Sequence, residues 1–213
     1  MNIAIIGATG QSGSLIMQEA LDRGHEVTAI VRNPKKLTSD AAITVVEKDI
    51  FDLTSADLMS FDVVVNAFNA TFGTEEQHVT AGHVLIEALT GQGNTRLAVV
   101  GSGGSLFTDD SRSERIYESA GFPEQFLDTA LQMRKNLEEL QSTTNLNWVY
   151  LSPCGLFDAE GKRTGTYHTG SDVSLVNSKG EAYTSYADFA IAMLDEIEQP
   201  QHINQRYAVV SES

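Results

Sequence analysis

The sequence predicts an α/β fold built on a doubly wound, mainly parallel sheet with helices on both faces. Three observations carry that prediction. Short β-branched runs alternate with longer segments of helical period, the runs are apolar throughout rather than alternating, and a glycine-rich turn joins the first run to the first helix. Continuous apolar strands suit a sheet covered on both sides, and a β-α-β-α order favours parallel pairing through right-handed crossovers.

Six segments read as strands: residues 3–6, 27–31, 44–46, 63–65, 97–100 and 148–151. Between them the period lengthens to that of a helix. Thr74-Glu75-Glu76-Gln77 and Ser185-Tyr186-Ala187-Asp188 resemble capping boxes and predict helix starts, the second more clearly. After it, Tyr186, Phe189, Ala190, Met193, Leu194 and Ile197 share one helical face, which predicts core packing against the sheet. Phe122, Phe126, Ala130, Met133, Leu137 and Leu140 predict a second apolar seam ahead of the 148–151 strand. Residues 158–180 are rich in Gly, Ser and Thr and lack a helical period, so they read as a long loop or irregular hairpin. Loops of that length in compact domains are often functional, which makes this one the expected wall or lid of a substrate site.

Composition narrows the function classes. The 213 residues, 41% hydrophobic with four prolines and no low-complexity run, suit one domain spanning 1–213. A formal charge of −15 repels phosphate backbones and argues against a nucleic-acid partner. The apolar runs are far shorter than the roughly 20 residues of a membrane-spanning helix. One cysteine, Cys154, and an N-terminus without secretion-signal character point to the cytoplasm. A homodimer is a common outcome for such a chain, though charge does not decide it.

Gly7-Ala8-Thr9-Gly10-Gln11-Ser12-Gly13 follows the first strand and opens a helix. Glycine permits the tight turn and lets a diphosphate approach the backbone, while the helix start offers unpaired N–H groups and a positive dipole end. The phosphate of a dinucleotide is therefore expected over Gly10 to Ser12, in a Rossmann-type fold. About 20 residues downstream, where an acidic residue would hold the ribose hydroxyls of NAD, stands Arg32. With Lys35 and Lys36 it forms a basic island, free of acidic residues from Val27 to Ser39, in a chain of 29 acids and 14 bases. Such a cluster fits a 2′-phosphate and predicts NADP(H) over NAD(H).

These residues, with Val31-Arg32-Asn33-Pro34-Lys35, Asp49 and Asp52, and Ser152-Pro153-Cys154-Gly155, resemble the atypical short-chain dehydrogenase/reductases. The resemblance is to the NAD(P)H-binding group related to NADH-flavin reductases and biliverdin reductase B, and runs through nearly the whole chain. It implies that Asp49 and Ile50 border the adenine and that Ala67 and Phe68 lie beside the cofactor. It also implies that Gly101, Ser102 and Pro153 border the nicotinamide. Asp49 is equally able to bind backbone N–H groups in a loop, Pro153 to shape a turn, and Ser102 to be an ordinary loop serine.

Ordinary short-chain dehydrogenases use a Tyr-x-x-x-Lys pair, and none of the six tyrosines here has lysine four positions later. Carbonyl reduction needs a positioned acid, whereas reduction of a flavin asks mainly that two rings be stacked and oriented. The sequence therefore points to an NADPH-dependent reductase of flavins or similar planar electron acceptors. Ser102 is a candidate hydrogen-bond donor, together with Ser105. Phe68, Phe72, Phe107, Phe157 and Tyr167 are candidate stacking or packing residues. A quinone reductase and a non-catalytic NADP(H) sensor remain alternatives. Cys154 stands where bilin-reducing relatives are expected to carry a histidine, which weakens a bilin reading; as a lone cysteine behind a core strand it reads as a small buried hydrophobe. His78 and His83, five apart on an expected helix, point to different faces, and no histidine pair has a metal-ligand spacing.

Overall fold

The computed structural model describes residues 1–37, 43–91 and 93–212, so positions 38 and 39 of the basic stretch lie outside the described residues. In chain order the strands are β1 (Asn2–Ile6), β2 (Glu26–Val31), β3 (Thr44–Glu47), β4 (Val63–Asn66), β5 (Arg96–Val100), β6 (Asn147–Pro153), β7 (Leu156–Asp158), β8 (Tyr167–Gly170), β9 (Tyr183–Ser185) and β10 (Gln205–Ser211). The helices are α1 (Gln11–Asp22), α2 (Ser55–Leu58), α3 (Gln77–Leu89), α4 (Leu127–Ser142) and α5 (Tyr186–Glu198).

Eight strands form one sheet in the order β3-β2-β1-β4-β5-β6-β10-β8, while β7 pairs with β9 apart from it. All neighbours in the large sheet are parallel except β10 and β8, which run antiparallel. This is a Rossmann-like sheet, and the pleat explains why its strands are apolar throughout. Ile3 and Ile5 of β1 face a layer made by α1 and α5, whereas Ala4 and Ile6 face the layer of α2, α3 and α4.

Three expectations need correction, and one strand was missed. The helix after β4 begins at Gln77, because Thr74 folds back and donates its hydroxyl to the Thr71 carbonyl at 2.8 Å instead of capping. The seam before β6 fails at its first turns: Phe126 is 42% exposed, and Phe122 precedes the helix. Residues 158–180 are not all loop, since Tyr167–Gly170 is an edge strand on β10. Finally, β10 itself was not expected, although Tyr207-Ala208-Val209-Val210 is a buried apolar run like those of the earlier strands.

Candidate functional site

The C-terminal ends of β1, β2, β3, β4, β5 and β6 bring the expected site residues to one edge of the sheet. Gly7 adopts φ +78°, a left-handed conformation, and its N–H reaches the Ile30 carbonyl of β2 at 3.2 Å. A Cβ there would stand 2.6 Å from the Ala67 carbonyl oxygen, and one at Gly13 would stand 2.3 Å from the Gly7 carbonyl oxygen. Neither position accepts a side chain. At Gly10 a Cβ would meet only the Gly7 carbonyl oxygen, at 3.2 Å, so the outer side of the turn is open.

That turn fits a dinucleotide diphosphate. Helix α1 starts at Gly10 with no side-chain cap, and the N–H groups of Gln11, Ser12 and Gly13 have no hydrogen-bond partner among the described residues. The Ser12 hydroxyl is shielded and unpartnered as well. Four donors thus converge where a helix dipole is positive, beside Thr9. Arg32 and Lys35 lie at the adjacent end of β2, exposed and without an ion pair among the described residues.

The next residues have mixed roles. Asp49 accepts a hydrogen bond from the Phe51 N–H at 3.2 Å, the loop-binding alternative, while Ile50 beside it is buried. Ala67 continues the sheet through its N–H to Ile6, and Phe68 is fixed by its N–H to the Asn66 side-chain oxygen at 3.1 Å. The Phe68 ring meets Phe51 and His78 edge to face, with centroids 5.7 and 5.8 Å away.

His78 is a site-wall residue that sequence spacing did not single out. Its Nε2 accepts the Ala70 N–H at 3.4 Å, which anchors the loop after β4. Burial pulls its pKa down to about 4, against the opposing charge of Glu75, so the ring is neutral and can accept. His83 on the same helix faces away and pairs with Glu139 at 2.8 Å.

Gly101 packs its backbone over Tyr150, where a Cβ would stand 2.1 Å from the ring. Tyr150 is fully buried, donates its hydroxyl to the Met133 carbonyl and has its pKa pushed up to about 12 by that burial, which makes it a weaker acid than an ordinary phenol. Ser102 accepts the Gly104 N–H at 3.1 Å, leaving its own O–H as a donor. Ser105, by contrast, is buried and held by Arg206 at 2.7 Å, so it serves the loop's architecture. Pro153 ends β6 with its carbonyl against Gly103, and Cys154 is buried with its thiol accepting the Leu175 N–H at 3.3 Å. At the same edge Phe72 and Phe126, 65% and 42% exposed, place their rings 6.0 Å apart. Phe157 lies against Tyr186 at 3.8 Å. Among the described residues no helix is long and apolar enough to cross a membrane.

Comparison with known proteins agrees with this geometry. The chain is 50% identical to the uncharacterized protein YwnB of Bacillus subtilis over all 213 residues of both. Its fold superposes with a TM-score of 0.94 on a Streptococcus pneumoniae protein provisionally described as an NADH-flavin reductase, 39% identical with both chains fully covered. The anaerobilin reductase ChuY of Escherichia coli O157:H7 shares the fold at a TM-score of 0.76 and 19% identity, over 100% of this chain and 98% of that one. Residues 7–200 match the NAD(P)H-binding family, and the chain belongs to it.

Proposed function

We propose that the protein is a cytoplasmic, NADPH-dependent reductase of flavins or similar planar acceptors. The observation that carries this reading is the convergence, at one sheet edge, of the uncapped glycine turn, of Arg32 and Lys35 without an ion pair among the described residues, and of the exposed Phe72–Phe126 pair. The likeness to the Streptococcus pneumoniae protein supports it.

In this reading the turn from Gly7 through Thr9, Gly10, Gln11 and Ser12 to Gly13 holds the diphosphate, and Arg32 and Lys35 hold the 2′-phosphate. Asp49 and Ile50 flank the adenine, Ala67 and Phe68 lie beside the cofactor, and Gly101, Ser102 and Pro153 border the nicotinamide. When bound, the reduced cofactor supplies the hydride. The chain's own contribution is orientation: Gly101 is held flat by Tyr150 beneath it, and Ser102 keeps an O–H free to donate to a ring carbonyl. The aromatic pair guides a planar acceptor to this edge, and Phe157, at the start of the 158–180 segment, walls the site against Tyr186.

The test is spectrophotometric oxidation of NADPH and NADH with FMN, riboflavin and a small quinone as separate acceptors. NADPH turnover with a flavin is expected, and Arg32→Glu should swing the NADPH-to-NADH preference by about tenfold or more towards NADH through the loss of charge-assisted bonds. Absence of flavin-stimulated NADPH oxidation at micromolar enzyme overturns the reductase reading. Equal dissociation constants for NADP+ and NAD+ overturn the cofactor assignment.

A further inference from the structure

The turn after β5 carries a cluster of positive charge that the cofactor reading leaves unused. Tyr117 donates its N–H to the Gly104 carbonyl at 2.8 Å, and the Ser105 carbonyl accepts from both Arg115 and Arg206. Arg206 is buried and neutralised by Asp172. Arg115 is different: its guanidinium lies 4.0 Å over the Phe107 ring and forms no salt bridge among the described residues. Arg134 of α4 donates to the Tyr117 phenol oxygen. Its Nε engages Glu138 at 2.8 Å, and its side chain is 33% exposed.

Two partly exposed guanidinium groups therefore reach the same loop, Arg115 through the Ser105 carbonyl and Arg134 through the Tyr117 phenol, in a chain with a net charge of −15. Arg115 has its pKa lowered by burial and then by Arg134 and Arg206, with Asp172 and Tyr117 acting in the opposite sense. Glu138 pairs with Arg134 and Asp172 with Arg206, so Arg115 is the guanidinium of this group left without a carboxylate partner among the described residues, and a bound anion would supply one.

Location says which anion. The order β1-β4-β5-β6 puts two strand spacings, about 10 Å, between the diphosphate turn on β1 and the β5 turn. The arginines attach to the β5 turn just past Ser102, the candidate nicotinamide neighbour. A group bound there lies beyond the nicotinamide end, where the acceptor enters. We propose that Arg115 and Arg134 bind an anionic tail on the acceptor, a phosphate monoester or a carboxylate, and so select charged planar acceptors over neutral ones. The planar fork of each guanidinium suits either group. This inference rests on the reductase reading, which supplies the acceptor.

FMN and riboflavin share a ring and differ in one phosphate, so the ratio of their kcat/KM values reads the site. At low ionic strength it should favour FMN by about tenfold or more and shrink as salt is added. Arg115→Gln with Arg134→Gln should bring the ratio to about one, and Arg115→Lys with Arg134→Lys should restore part of it because the charge returns. A 1,4-naphthoquinone with and without a carboxylate side chain provides the second arm. Preference confined to the flavin pair assigns a phosphate site, and preference in the quinone pair assigns a carboxylate site. Ratios near one in both wild-type pairs overturn the proposal, as does a KM for NADPH that rises in step with that for FMN, which would give the arginines to the cofactor. Thermal melting of each variant separates misfolding from lost recognition. If no acceptor turns over, the reductase reading fails by itself, and calorimetry with FMN and inorganic phosphate on the NADP+-saturated protein still decides the site. Binding weakened at least about tenfold in the double Gln variant supports it, and equal binding in wild type and variant overturns it.

Discussion

The two ends of the sheet treat their polar groups in opposite ways. At the end carrying the glycine turn, backbone N–H groups, the Ser12 hydroxyl, Arg32 and Lys35 lack protein partners among the described residues. At the other end, the Arg96 guanidinium donates to the Glu196 carboxylate at 2.6 Å and to the carbonyls of Glu196 and His202 at 2.9 and 2.7 Å. The same carboxylate accepts the Gln201 and His202 N–H groups, and the His202 ring, 2.8 Å from it, stacks on Tyr207 at 4.1 Å. One end keeps donors open for a ligand. The other joins the start of β5 to the end of α5 through polar bonds within the protein, with the Arg96 Nε as its one buried donor left unpartnered among the described residues.

The largest way to break this comparison is to open the closed end. The side chains of Arg96 and Glu196 are only 5% and 4% exposed, so Arg96→Met leaves a buried carboxylate without its cation. A loss of about 3–5 kcal/mol in urea unfolding is expected, with a substantial part recovered in the double variant Arg96→Met/Glu196→Met. A single-variant cost below about 1 kcal/mol would show that packing, not the ion pair, holds this end.

His78 sharpens the comparison, because it is a satisfied polar group within the open end. Its pKa lies at about 4 in the folded chain, below the ordinary 6.5. Between those values the unfolded chain binds more protons, so stability rises with pH. The contribution is fully present above about 6.5 and is lost as pH falls towards 4, an effect on the order of 3 kcal/mol. Urea midpoints measured from pH 7 to 4 should fall more steeply in wild type than in His78→Gln. Parallel curves would mean that the imidazole is not held neutral against the Ala70 loop.

Legibility in the sequence follows the same division. Strands β1 to β6 and the glycine turn were readable because their signals are local: apolar runs, a tight glycine spacing and the basic island of Arg32, Lys35 and Lys36 each lie within a few residues. The closed end depends on partners 100 residues apart in Arg96 and Glu196, which no window of periodicity contains. Edge strand β8 escaped for a related reason. Tyr167-His168-Thr169-Gly170 is half-buried at its ends and exposed in the middle, so only its ladder to β10 makes it a strand. Arg134 and Tyr117 likewise meet across 17 residues and two loops, whereas a Tyr-x-x-x-Lys search examines one helical turn. His78 read as one of a non-ligating pair, because its role depends on a backbone N–H eight residues earlier.

The smallest expected effect compares two helix starts that point the same way. Helices α1 and α5 pack side by side in one layer, yet α1 begins at Gly10 without a side-chain cap, while the Ser185 hydroxyl of α5 accepts the Asp188 N–H at 3.0 Å. The Asp188 carboxylate in turn binds the Thr164 and Gly165 N–H groups, which ties the 158–180 segment to that helix start. Ser185→Ala should therefore cost about 1–2 kcal/mol, seen as a lower Tm, because a buried N–H loses its acceptor. NADP+ affinity should be unchanged if the two helix starts are independent. A fall in that affinity matching the loss of stability would show that the capped helix start braces the open one through the α1–α5 layer.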